Sequence, residues 1–231
     1  MKTNKNILIW GAGLRCSNTI EKLKQSKYLI KNKLKVKYIF DNTKKKLDFQ
    51  TQVRFSNKIR DLYKIIDECD YFVVAIGSDF GKARYFISNE LVKRKLKPLN
   101  LIDKNSMIAQ NVIYGNGFQS EAGSIIQNNV KVGDFCILNT NASIDHHSNI
   151  GNGCHIMPGA TIAGKVNIKD FVTIGSNATI LPYITIETGA VIGAGSVITK
   201  NVKKNELVAG NPAKKIKIVK HKFDLSPFKK G

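Results

Sequence analysis

The chain has 231 residues, 42% of them hydrophobic, enough to pack one large domain or two small ones. No stretch reaches the ~18–20 consecutive apolar residues of a membrane-spanning helix, and the four cysteines (Cys16, Cys69, Cys136 and Cys154) show neither C-x-x-C spacing nor disulfide density. The net charge of +20 comes from 37 basic and 17 acidic residues, but only Arg15, Arg54, Arg60, Arg84 and Arg94 are arginine; that is lysine drift rather than a set of phosphate forks.

Nucleic-acid and membrane partners are set aside on those grounds, while the positive field still favours an anionic substrate. The opening "MKTNKNILIWGAG" has a short apolar run that leads into a glycine turn, not into a small-residue cleavage site. With the cysteine usage, this predicts a reduced, cytoplasmic protein without a signal peptide.

In chain order, "NILIWGAG" reads as a buried strand ending in a turn, "LRCSNTIEKLKQS" as a helix and "LKVKYIFDN" as a second strand. "YFVVAIGS" is a later strand, "FGKARYFISNELVKRK" an amphipathic helix, and "PLNLI" leads onward. Such β-α-β alternation predicts a small parallel sheet with Rossmann-like topology over residues 1–101. The turn Gly11-Ala12-Gly13-Leu14-Arg15-Cys16 has the first two glycines of G-x-G-x-x-G, with Cys16 where the third belongs. It suits a phosphorylated group at a helix N-terminus better than it specifies a dinucleotide. Asp41, at the end of the second strand, is placed to meet a ribose or base.

From residue 102 the grammar changes. Every sixth residue from Ile102 to Ile198 is Ile, Val or Leu, except Tyr114 and Ser120. Four residues after nearly every one of these sits a small or β-branched residue, such as Cys136, Ala142, Cys154, Ala160 and Ala178. This is a hexapeptide β-helix repeat, three hexapeptides to a coil, so residues eighteen apart stack. Glycine often follows the aliphatic position (Gly133, Gly151, Gly175, Gly193), where it is expected to permit tight turning. The repeat predicts a β-helix domain over 102–218 and a tail over 219–231. Cys136 and Cys154, eighteen apart at the small position, read as stacked core thiols.

One stretch concentrates chemistry. "IDHHSNIGNGCHIMPG", Ile144–Gly159, holds three of the four histidines. His146 is the third residue of its hexapeptide, with Asn128 and Gly164 stacked on either side of it. His155 lies nine residues on, half a coil further.

A Rossmann-like domain followed by a hexapeptide β-helix resembles the bacterial nucleotide-sugar N-acetyltransferases of the bacillosamine and perosamine type; sialic-acid O-acetyltransferases share the architecture. The resemblance is carried by "GAG", "IFDN", "VVAIGS", "LNTNASIDHHSNIG", "HIMPGATIAGKVNI" and "VAGNPAKKIK". It implies a left-handed β-helix, an exception to the right-handed crossover rule. It also implies a homotrimer with active sites between subunits, acetyl-CoA as co-substrate, a nucleotide-linked amino sugar as acceptor, and no metal. By the same resemblance His146 matches the general base and His155 the residue that contacts the acetyl group. Gly164, which leaves a gap beside the imidazole for a thioester, matches a backbone donor to the oxyanion. Ser176 and Ala194 match backbone positions along the pantetheine arm. Gly13, Leu14 and Arg15 match the turn that holds the nucleotide phosphates, though this turn is shorter than the family's "GASGHG". Asp41 and Asn42 match the pair that meets the nucleoside, and Gly77 and Ser78 a second wall. Lys214 and Lys215 either meet the CoA phosphates or form a solvated tail.

One position departs from the family. An acidic residue usually follows the catalytic histidine and raises its basicity; here it is His147, which the resemblance groups with Asn139 as a residue tuning the base. Asp145 precedes His146, and neighbours on a strand point to opposite faces. Three other readings compete: O-acetylation of a sugar or sialic acid, a zinc lyase with His146, His147 and His155 as ligands, and a catalytically inactive binding protein. Adjacent ligands on a strand would face apart, which counts against zinc.

Overall fold

The computed structural model describes residues 5–221, 223 and 225–228. The chain divides into two compact units. One comprises residues up to Ile76, Phe86–Leu99 and the C-terminal end; the other comprises Gly77–Tyr85 and Asn100–Phe223.

The first unit is built on a five-stranded parallel sheet. Its elements run β1 (Asn6–Trp10), α1 (Leu14–Gln25), α2 (Lys27–Lys31), β2 (Lys35–Phe40), β3 (Arg54–Ser56), α3 (Ile59–Asp67), β4 (Tyr71–Val74), α4 (Gly81–Lys93, whose residues up to Tyr85 belong to the second unit) and β5 (Lys97–Pro98). The strand order is β3-β2-β1-β4-β5, every pairing parallel. Central β1 is covered on both faces, so Ile7, Leu8, Ile9 and Trp10 are all buried, as a continuous apolar run requires. Helix α1 buries Cys16, Thr19, Ile20 and Leu23, the i, i+3, i+4, i+7 face of one amphipathic helix. Trp10 is flanked by Phe40, with ring centroids 4.7 Å apart, and by Phe228, at 5.1 Å. β3 and α3 add to the elements that the apolar runs predict. α3 is legible at helical spacing in Leu62, Ile65 and Ile66, all buried.

In the second unit, seventeen two-residue strands follow one another six residues apart, from Leu101–Ile102 to Val197–Ile198. Each pairs in parallel with the strand eighteen residues away, so that Ile126, Ile144, Ile162 and Ile180 stack in one column. Three parallel sheets result, and their inward residues form one continuous apolar cluster. Repetition thus produces the core directly: each coil buries its aliphatic residues only against the coils above and below.

The turn chemistry differs from expectation. Gly133, Gly151, Gly175 and Gly193 have no left-handed backbone; the left-handed position is the fourth of the hexapeptide, occupied fourteen times in succession from Gly117 to Gly195. The second-position glycines serve close approach instead. A Cβ on Gly133 would lie 2.8 Å from the carbonyl carbon of Gly151 in the next coil.

The stack closes with an antiparallel hairpin, Glu206–Gly210 and Ala213–Ile218, laid parallel onto Val191–Ile192. Lys214 and Lys215 therefore lie in the outermost strand, not in a tail, and Lys215 Nζ meets Glu206 Oε1 at 3.1 Å.

All four cysteines are buried and unpaired. Burial pushes the thiols of Cys16 and Cys69 up to about 12, with the Asp41 carboxylate adding to the effect at Cys16. Burial also drives Cys154 well above the ordinary thiol range, helped by its hydrogen bond with Cys136. At pH 8 a thiol with a pKa near 12 is only ~10⁻⁴ ionised. All four thiols are buried away from reagent, so none should react with iodoacetamide in the folded protein, whereas the unfolded chain should take up all four. Mass spectrometry of native and denatured samples checks this, and rapid native labelling would contradict the packing. Because Cys16 and Cys69 are raised in the folded state, their contribution to stability is present below about pH 9 and is lost as pH climbs toward 12.

Candidate active site

His146 and His147 are both exposed, at the turn between Ser143–Ile144 and Asn149–Ile150. Their rings do not face apart. Nδ1 of one lies 3.1 Å from Nδ1 of the other, and the ring planes are nearly perpendicular. Strand alternation would set neighbouring side chains on opposite faces. His147, however, is at the fourth position of its hexapeptide with φ 60°, and a left-handed residue breaks strand alternation. Asp145 is committed elsewhere: its Oδ1 accepts the backbone N–H of His146 at 2.7 Å.

The His146 ring lies against Gly164. A Cβ there would come within 2.7 Å of the ring Cε1 and 2.8 Å of Nε2, so only glycine leaves the imidazole its place. Among the described residues, His146 Nε2 has no protein partner, and the backbone N–H groups of Gly164, Ser176 and Ala194 make no backbone hydrogen bond. Ser176 and Ala194 share one column, eighteen residues apart and each third in its hexapeptide, like His146 and Gly164 in theirs.

His155 is in a different environment. It is 4% exposed, its Nδ1 lies 3.1 Å from Ser78 O, and its Nε2 lies 3.3 Å from Asn139 Nδ2. The structure thus places Asn139 beside His155, not beside His147. Asn139 directly follows the strand Ile137–Leu138, and Ile137 is the register partner of His155. Gly77 and Ser78 belong to the unit that contains the coil.

The segment containing them is pinned by Arg84, a residue outside the motifs that mark the site in the sequence. Arg84 is fully buried. Its Nε donates to Phe135 O at 2.8 Å, and its Nη2 to Gly153 O at 2.9 Å and Cys154 O at 3.1 Å. Gly81 makes the approach possible, because any side chain there would collide with Gly153 O. The available signal was compositional: an arginine at a buried helical position in a chain that otherwise uses lysine.

In the first unit, Gly13 is the residue before α1, whose N-terminus has no side-chain cap and no acidic residue in its first turn. That leaves N–H groups and a dipole suited to an anion, with Leu14 exposed beside them. The Asp41 carboxylate organises the loops around this turn. Oδ2 accepts Ala12 N–H at 2.9 Å, and Oδ1 accepts Thr43 N–H and the Thr43 hydroxyl. Asn42, next to it, is half-buried.

Among the described residues, no group of three or more His, Cys, Asp or Glu side chains could hold a metal ion. Nor is any helix there long and apolar enough to cross a membrane.

Comparison with known proteins bears on this geometry. Residues 147–182 and 165–200 match the model of the bacterial transferase hexapeptide, six repeats. Among solved structures, the chain is similar to perosamine N-acetyltransferase from Caulobacter crescentus, in a mutant form with one histidine replaced by asparagine, in complex with CoA and GDP-perosamine. Identity is 24%, covering 92% of this chain and 97% of that one, with a TM-score of 0.79. It is similar to the acetyltransferase domain of PglB from Neisseria gonorrhoeae (23% identity, 92% and 100% covered, TM-score 0.78) and to WeeI from Acinetobacter baumannii (23%, 91% and 99%, 0.79). The chain has the fold of these proteins. It is a Rossmann-like α/β unit followed by a left-handed parallel β-helix, as the repeat and the resemblance predict. No curated protein matches the sequence.

Proposed function

We propose that the protein is an acetyl-CoA-dependent N-acetyltransferase acting on the amino group of a nucleotide-linked amino sugar. The observation that carries this reading is the exposed His146 imidazole, laid on Gly164 with its Nε2 unclaimed by the protein, within a fold whose similar structures include complexes with CoA and GDP-perosamine. The sugar amine attacks the thioester carbonyl carbon. A C–N bond forms, the C–S bond breaks, and CoA leaves as a thiolate that is then protonated by the His146 imidazolium. His146 takes the proton that the amine sheds. The Gly164 N–H meets the oxyanion of the tetrahedral intermediate, and the N–H groups of Ser176 and Ala194 meet the pantetheine arm. His155, held by Ser78 and Asn139, presents a fixed ring edge toward the acetyl group. Gly13, Leu14 and Arg15 take the nucleotide phosphates, and Asp41 and Asn42 the nucleoside. The working form is a cytoplasmic homotrimer with its active sites between subunits.

A thiol-release assay with acetyl-CoA against UDP-, GDP- and dTDP-linked amino sugars tests the reading. One carrier is expected to give rapid, saturable release of CoA. Release with sugar hydroxyl acceptors but with no amine would move the assignment to O-acetylation, and no release with any acceptor would refute acetyl transfer.

Asp41→Ala is expected to raise KM for the nucleotide sugar much more than it lowers kcat. Removing the three bonds Asp41 accepts frees the glycine turn that holds the phosphates, and so removes uniform binding. Steady-state kinetics on variant and wild type check this; an unchanged KM would place the nucleotide elsewhere.

A further inference from the structure

The two histidines are the end of a longer hydrogen-bonded column. Asn111, Asn129 and His147 stand eighteen residues apart, stacked in successive coils. Asn111 Nδ2 lies 2.6 Å from Asn129 Oδ1, Asn129 Nδ2 lies 3.2 Å from His147 Nε2, and His147 Nδ1 lies 3.1 Å from His146 Nδ1.

The direction of this chain is fixed at its start. The backbone N–H of Asn129 can only donate, and it points at Asn111 Oδ1, 3.2 Å away. Asn111 therefore turns its NH₂ toward Asn129 and makes Asn129 Oδ1 an acceptor. Asn129 is left presenting its own NH₂ to His147 Nε2. A neutral His147 then carries its proton on Nδ1 and donates it to His146 Nδ1. A neutral His146 must in turn carry its proton on Nε2.

That is the wrong polarity for a base acting through Nε2, the nitrogen not engaged by His147. Accepting a proton there needs the lone pair on Nε2 and the proton on Nδ1. His147 Nδ1 would then accept, its Nε2 would donate, and the Asn129 amide would be turned to present oxygen. No net proton is gained or lost between the two arrangements, because each exposed ring moves one proton from one nitrogen to the other through water. The turned amide loses its bond from Asn111, since two NH₂ groups would then face each other.

We propose that Asn129 is a positioning residue that sets, through His147, which ring nitrogen of His146 is basic. This rests on the reading of His146 as the base of acetyl transfer. The device takes the place of the fixed carboxylate that a simpler site would use: the amide balances two polarities, and the Asn111 bond biases the balance toward the resting one.

Asn129→Asp tests it, because a carboxylate presents only acceptors to His147 Nε2. In protein labelled with ¹⁵N-histidine, at a pH where both rings are neutral, the wild type should show His146 protonated on Nε2. The Asn129→Asp variant should show it protonated on Nδ1. Acetyl transfer by the variant should have a kcat about two- to tenfold higher, the population ratio that one hydrogen bond sets, with KM for acetyl-CoA unchanged. In a His147→Ala background the same substitution should change neither the His146 tautomer nor kcat, because the coupling runs through that ring. An unchanged His146 tautomer in Asn129→Asp would overturn the proposal, as would an effect that persists without His147. If the tautomer switches but neither protein transfers acetyl groups, the coupling stands and the functional reading falls.

Discussion

Replacing His146 with alanine or asparagine is expected to lower turnover by at least ~100-fold while the coil stays folded, since removal of a general base costs on the order of 10²–10⁴-fold. The ring is exposed and contributes nothing to the apolar column, so the loss should fall on kcat rather than on stability. The thermal midpoint and oligomeric size of the variant should match the wild type. Retention of more than a tenth of the wild-type rate on the true substrate would take the role away from His146.

A comparable loss, of stability this time, is expected at Arg84. Arg84→Met keeps the length and apolar stem but leaves the carbonyls of Phe135 and Gly153 without their donor, while Cys154 O keeps the Ile137 N–H. Each buried acceptor left unsatisfied costs about 1–3 kcal/mol, so with two of them the variant should lose about 2 kcal/mol or more. Arg84→Lys should recover little, because one ammonium cannot reproduce a fork that spans three carbonyls. Chemical denaturation measures the loss, and limited proteolysis should show cleavage within residues 77–85 before the coil yields. A loss below about 1 kcal/mol would mean that the carbonyls find other partners at little cost.

The coil was readable because its physics is periodic. A residue that faces inward at one position faces inward six later, so Ile, Val and Leu at that spacing admit one arrangement. The same holds for the stacked thiols. The turn was harder. The fourth position tolerates Asn, Gly, Phe, Tyr, Lys and His here, so no residue type marks it as left-handed. Without it, His147 looked as though it pointed away from His146. Asn139 met His155 instead of the paired histidines because strand register decides neighbours there, and register between specific side chains is not written in composition. Residues 77–85 were hidden for another reason. The sequence shows an amphipathic helix, but not that its first turn and the loop before it belong with the coil. In the first unit β1, α1, β2 and β4 were legible from apolar runs and turn glycines. β3 was not, since three residues carry too little pattern. The role of Asp41 was half legible: its place at the strand end marked it out, but its bonds to Ala12 and Thr43 depend on how the loop folds back.

The closing hairpin has a consequence for solubility. A stack in which every rung repeats the one below has no intrinsic end, and a bare terminal coil would offer open backbone groups to a second molecule. The outermost strand, Ala213–Ile218, reads "AKKIKI", with Lys214, Lys215 and Lys217 all exposed. Another strand docking there would sit roughly 4.8 Å away, and two such edges would bring their ammonium groups into mutual repulsion. Elsewhere in the chain the lysine excess is diffuse. Along this one strand it acts as a terminator, keeping a polymer-like architecture to a fixed number of coils.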